Sequence, residues 1–131
     1  MDALRVFFVV LFVYACHFPD AQRLDSAGWV NLRNAIIAVE SEGDSTAVNG
    51  SSVGVLQITP VYVSEANRIL GVEKYCLDDR LSVSKSIEMF EVVQGFWNKD
   101  RLLLRAIRLH NPRALRGYRM KVIKEFNEYR P

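Results

Sequence analysis

Glu40-Ser41 is followed, thirteen residues on, by Gly54-Val55-Leu56-Gln57-Ile58-Thr59-Pro60, and these two stretches decide the fold. Glu40 closes an apolar helical run over residues 29–39, in which Trp29, Leu32, Ile36 and Val39 recur at three and four residues and so share one helix face. This predicts a first helix over residues 26–41. Residues 42–52 are rich in turn formers and read as loop. Residues 53–58 are short, apolar and β-prone, with a single amide, Gln57, inside them, which predicts a strand-like piece. Thr59-Pro60 is a helix start, a hydroxyl N-cap followed by proline in the first turn.

Downstream the pattern is helical throughout. A second helix runs to about residue 70 and is stopped by Gly71. Residues 75–80 form a connector. A third helix over residues 83–96 turns Ile87, Phe90, Val93 and Trp97 inward. Asp100 is placed to cap a fourth helix over residues 101–110, which buries Leu103, Ala106 and Ile107. A fifth helix over residues 117–129 aligns Tyr118, Val122, Phe126 and Tyr129. Periodicity alone gives only a small helical domain.

At 131 residues, half of them apolar, the chain suits a single core. Its net charge of +2 hides an asymmetry. Residues 1–100 carry 8 Lys/Arg and 13 Asp/Glu, a balance of −5; residues 101–131 carry 9 and 2, a balance of +7. Such a basic segment, with Arg105, Arg108, Arg116 and Arg119, either attracts nucleic acid, anionic lipid or an acidic polymer or forms solvated helix faces. No basic, aromatic-rich motif of a nucleic-acid module is present, and no nucleic-acid partner is expected.

Residues 6–15 are an uninterrupted apolar run, preceded by Arg5 and ending in Ala15. The run is short for a membrane-spanning helix and has the length of a secretory h-region. Val13-Tyr14-Ala15-Cys16 is similar to a lipoprotein cleavage box, so Cys16 is a candidate for lipidation and membrane attachment. Plain cleavage nearby and a buried first helix are the alternatives. Residues 1–22 are thus expected to be a signal and short tether, residues 23–131 the folded domain, and the mature protein an exported one of the periplasm or cell envelope. Only Cys76 remains after Cys16, and the cysteines and histidines at positions 16, 76, 17 and 110 lack metal-site spacing. No cofactor and no metal are expected.

A carboxyl group can protonate a leaving glycosidic oxygen only if it still holds its proton near neutral pH. Burial and the negative end of a helix both raise its pKa, and Glu40 has apolar neighbours and a helix C-terminus. The competing role is a helix-end glutamate in water. Together, the helix ending in Glu40-Ser41 and the segment Gly54-Val55-Leu56-Gln57-Ile58-Thr59-Pro60 resemble the two signature motifs of the lysozyme-like lytic transglycosylases of the SLT type. The resemblance covers roughly residues 26–126. It implies an α+β, mainly α-helical, lysozyme-like fold with a small β element after the first helix of the domain.

It also implies an activity: cleavage of the MurNAc-GlcNAc β-1,4 bond of peptidoglycan glycan strands, with Glu40 as the single acid and base. Ser41, Gly54, Gln57, His110, Asn111 and Tyr118 are the substrate-side residues under the same resemblance. Ser41 has an alternative role at the helix end, Gln57 one within its own loop, and His110 a structural or exposed one. The third family motif, Ala-x-x-x-[Tyr/Trp]-Asn-x-Gly, is met only in part. Ala106 and Asn111 match, His110 stands where a larger aromatic is usual, and Arg113 replaces the glycine after Pro112. A muramidase of the same fold and a catalytically degenerate peptidoglycan-binding domain are the alternative functions. Nothing in the sequence sets the oligomeric state.

Overall fold

Asp25 starts the first helix by accepting the Gly28 N–H at 2.7 Å, a side-chain cap for an otherwise unpaired backbone donor. The computed structural model describes residues 22–129, so the apolar run over residues 6–15 and Cys16 lie outside the described residues. Helix α1, Ser26–Ser41, buries Trp29, Leu32, Ala35 and Ile36, while Val39 is only partly covered. Glu42 ends it in the left-handed conformation, its N–H reaching Ala38 O at 3.1 Å.

The β element is smaller than expected and differently placed. Strands β1, Val48–Asn49, and β2, Ser52–Val53, pair antiparallel with Val48 opposite Val53. The expected strand over residues 53–58 stops at Val53. Residues 54–57 are a turn, because Gly54 (φ 83°) and Gln57 (φ 48°) both take left-handed backbone. Val53 and Ile58 close the turn by exchanging both N–H···O bonds, at 3.1 and 3.0 Å. The turn drives Val55 and Leu56 into the core, which is why an apolar run appears there without strand geometry.

Helix α2, Pro60–Leu70, is capped by Thr59 and stopped by Gly71 at φ 71°, as the sequence predicts. A 3-10 turn, Leu77–Leu81, leads to α3, Val83–Trp97, which buries Ser86, Met89, Phe90, Val93 and Gln94. Trp97 does not face the core: the buried stripe runs off the core at the last turn of α3, and the indole is about half exposed. Asp100 is not the cap of the next helix. Asn98 holds that connection instead, its side chain bonding both the N–H and the carbonyl of Leu102 at 3.0 Å, and α4 begins at Leu103 (Leu103–His110). Helix α5, Arg116–Glu128, buries Val122 and Phe126 but leaves Tyr129 exposed.

Helix α5 packs along α1, and α3 along α2, around Leu32, Ile36, Leu56, Phe90, Ile107 and Val122. The protein is mainly helical, with five α-helices among the described residues and one two-stranded sheet. No helix among the described residues is long and apolar enough to cross a membrane.

Gly54 is the position with least room. A β-carbon there would lie 1.9 Å from the Arg80 carbonyl oxygen, on a backbone at positive φ. The clash is with main chain and cannot be relieved by a rotamer change. Gly54→Ala is therefore expected to destabilise the fold by about 2–4 kcal/mol, combining overpacking with left-handed strain. A thermal melt should fall by roughly 10 °C or more. A melt unchanged from that of the parent would contradict this packing.

Candidate active site

The site is organised by the carbonyl groups of the turn over residues 54–57. Val55 and Leu56 are buried, so their carbonyls need donors from within the protein. Ser41, the last residue of α1, donates its hydroxyl to Val55 O at 2.8 Å, with Ile37 O at 3.3 Å, and its oxygen accepts the Gly43 N–H at 3.1 Å. His110, the last residue of α4, places Nε2 2.7 Å from Leu56 O. Gln57 folds its amide back to donate to Ala47 O at 3.1 Å and Gly54 O at 3.0 Å. Ser41 thus takes the helix-end role and Gln57 the loop role. The close approach at Gly54 is to Arg80, not to an open surface.

The Leu56 carbonyl can only accept, so His110 Nε2 carries the ring proton and Nδ1 does not. Nδ1 is buried without a hydrogen-bond partner among the described residues. Burial pulls the imidazole pKa down to about 4, against the opposing effect of the Leu56 bond. The ring lies between aromatic neighbours, Tyr62 at 5.6 Å and Phe90 at 5.7 Å. His110 is therefore neutral near pH 7, and buried rather than exposed.

That neutrality matters for Glu40, whose Oε1 is 3.7 Å from His110 Nε2. The distance is beyond a hydrogen bond, and an uncharged ring makes no ion pair. The Glu40 side chain is 13 % exposed, and no Lys or Arg among the described residues comes within ion-pair reach of it. Burial raises its pKa above the ordinary carboxylate value, partly opposed by one hydrogen bond. That bond comes from Tyr118 on α5, whose hydroxyl donates to Glu40 Oε1 at 2.5 Å. Burial, and then the adjoining carboxylate, push the Tyr118 phenol well above its usual range, so it keeps its proton. With Oε1 held as an acceptor, the Glu40 acid proton resides on Oε2. The arrangement is a poorly exposed carboxyl group with a raised pKa and one oxygen anchored.

A groove of about 440 Å³ adjoins this centre, lined in part by Thr59, Tyr62, Trp97, His110, Asn111 and Arg113. Of the catalytic and substrate-side residues expected from the sequence, only His110 and Asn111 line it. Asn111 also ends α4, its N–H bonding Ile107 O at 3.1 Å, before Pro112 and Arg113 turn the chain away. Glu40 does not line the groove; its link to it is the His110 ring, which does and whose Nε2 is 3.7 Å from Glu40 Oε1. Glu65 is the carboxylate that lines the groove, but it is engaged by its neighbours. Its two oxygens accept from Arg68 Nε and an Arg68 terminal nitrogen at 2.7 Å, and Oε1 also accepts from Trp97 Nε1 at 2.8 Å. The Arg68 bond is the chief cause of a pKa lowered to about 2.

Tyr62 and Trp97 were not legible as site residues. Trp97 had a signal, since adjacent aromatics Phe96-Trp97 cannot both face one core from a helix. A second groove, also about 440 Å³, shares Leu109 and Pro112 with the first and is lined by Arg105 and Arg108 of the basic segment. No group of three or more His, Cys, Asp or Glu side chains among the described residues is placed to hold a metal ion. Comparisons with protein-family models, with curated proteins and with solved structures found no match.

Removing the Tyr118 hydroxyl removes the one contact that favours ionised Glu40. Carboxyl-detected NMR titration should therefore give Glu40 a midpoint above an ordinary glutamate, and Tyr118→Phe should raise it further. A lower midpoint in Tyr118→Phe would contradict the donor role of the phenol.

Proposed function

We propose that this protein is an exported cell-envelope enzyme with a lysozyme-like fold that cleaves peptidoglycan as a lytic transglycosylase. The observation that carries the reading is the Glu40 carboxyl: poorly exposed, raised in pKa, free of a cationic partner among the described residues, and anchored at one oxygen by Tyr118. It stands at the end of a helix where the Glu-Ser motif puts it, and the Gly-x-Leu-Gln-Ile motif is tied to the next residue through the Ser41–Val55 bond.

In this reading Glu40 Oε2 gives its proton to the glycosidic oxygen as the bond from MurNAc C1 breaks. The carboxylate so formed takes the proton of the MurNAc 6-hydroxyl, whose oxygen attacks C1 and closes a 1,6-anhydro ring. The muramic acetamide steadies the positive charge at C1 between these steps. Protons balance on Glu40 alone, and no water is activated. A muramidase would need a second carboxylate as base or nucleophile. Glu65 is the carboxylate of the groove, and its hydrogen bonds to Arg68 and Trp97 with its low pKa make it a poor base. This favours the single-acid route over the hydrolase. Targeting to the envelope rests on residues 1–22, with lipidated Cys16 or plain cleavage as the two routes.

Turnover of purified sacculi by Glu40→Gln tests the proposal. General acid–base catalysis is typically worth about 10²–10⁴-fold, and a residue serving both half-steps should lose at least the upper part of that range. Wild-type activity should fall as pH rises through the raised Glu40 pKa. The same sign governs stability. A carboxyl whose folded pKa exceeds its unfolded one loses stability as pH rises from the unfolded value through the folded value. Glu40→Gln should therefore melt no lower than wild type at neutral pH, while Glu42→Gln and Glu65→Gln retain most turnover. A folded Glu40→Gln protein with near-normal turnover would remove Glu40 from the mechanism.

A further inference from the structure

Proton transfer at Glu40 gives no role to Trp97, which lines the groove and is half exposed at 49 %. A large exposed ring is informative when it is held rigid in a concave site. Trp97 is so held. Its indole N–H is used on Glu65 at 2.8 Å, and Glu65 is clamped by two bonds from Arg68. The Arg68 guanidinium lies 5.5 Å from the Phe96 ring centroid and 6.0 Å from that of Trp97, and Phe96 meets Trp97 edge to face at 4.9 Å. With its polar atom already satisfied, the indole offers the groove only an apolar face.

Charge in the groove points the same way. The Glu65 carboxylate is balanced by Arg68. Arg113, another lining residue, has no ion-pair partner among the described residues, so the groove has one cation to spare for a ligand. Asn111 lines the same space. A rigid aromatic face, an amide and an unpaired guanidinium fit a flat ring whose C–H face can stack and whose rim carries acetamide and carboxylate groups.

We infer that the groove is a saccharide subsite in which Trp97 stacks on one pyranose of the strand and Arg113 pairs with the free lactyl carboxylate of a muramic residue that bears no stem peptide, on that or the adjoining sugar. The inference rests on the reading of Glu40 as a glycan-cleaving acid and assigns the neighbouring sugar its place. It also gives Pro112-Arg113 a positive role, where the family motif carries a glycine.

Binding is measured on the full chain carrying Glu40→Gln, so that ligand persists. Two probes are used: a soluble peptidoglycan tetrasaccharide stripped of peptides, which keeps its lactyl carboxylates, and chitotetraose, which has none. Trp97→Ala should weaken both roughly 3–10-fold, in line with the value of an aromatic stacking contact, and Trp97→Phe should restore most of the loss. Arg113→Ala should weaken the peptidoglycan fragment about 2–5-fold, as for a single exposed ion pair, and leave chitotetraose unchanged. Trp97→Ala binding both probes as the parent does overturns the subsite. Arg113→Ala acting on both probes alike, or on neither, overturns the carboxylate pairing. Turnover of sacculi by the protein with Glu40 intact separates the two levels. Cleavage together with unaltered Trp97→Ala binding removes the subsite alone. Neither cleavage nor binding of either probe removes the glycan reading and the subsite with it.

Discussion

The buried turn over residues 54–57 is the constraint on which the rest of the site depends. Its apolar side chains fill the core, so its carbonyls are cut off from water and must be satisfied by side chains. Ser41 supplies the donor for Val55 and His110 the donor for Leu56. Those two residues end α1 and α4, so the turn fastens the C-terminal ends of both helices to one point. Gly54 is what lets the turn lie against the Arg80 carbonyl at all. Ser41, Gln57 and His110, expected from the sequence on the substrate side, also make in the fold the hydrogen bonds that hold this turn beside Glu40.

The electrostatic character of Glu40 follows from that placement. Gathering α1, α4 and α5 at the turn surrounds the carboxyl with Tyr118 and a neutral His110. A protonated imidazole at 3.7 Å would favour the carboxylate and undo the raised pKa. Burial of His110 prevents this by keeping the ring uncharged, and the Leu56 carbonyl fixes its tautomer. The cost is visible in the orphaned Nδ1 and in a carboxyl held away from water.

Much of this was legible in the sequence because local signals agreed with the tertiary ones. The Trp29, Leu32 and Ile36 spacing marked the buried face of α1, and Thr59-Pro60 and Gly71 bounded α2. The helix-end setting of Glu40 among apolar neighbours was legible too, and burial there raises its pKa. What the sequence concealed are features that only the third dimension sets. Residues 53–58 carry strand composition but form a turn, since left-handed backbone at Gln57 has no side-chain signature. Asp100 has the composition of a cap, yet Asn98 reaches the same backbone from the end of α3. Trp97 kept the helical register of a core residue while the core ended before it. Ser41 and Gln57 each had a ligand role and a structural role open, and it takes the fold to show that both side chains bond nearby backbone carbonyls. The partnership of Tyr118 with Glu40 spans the whole domain and could not be read from spacing.

Product analysis of digested sacculi by mass spectrometry tests most directly whether one anchored acid does all the chemistry. Ring closure by the 6-hydroxyl leaves muropeptides ending in 1,6-anhydro sugar, one water lighter than the hydrolysed form. The expected result is anhydro ends from wild-type protein and none from Glu40→Gln. Reducing ends from wild-type protein would contradict the single-acid mechanism and require a second group that activates water.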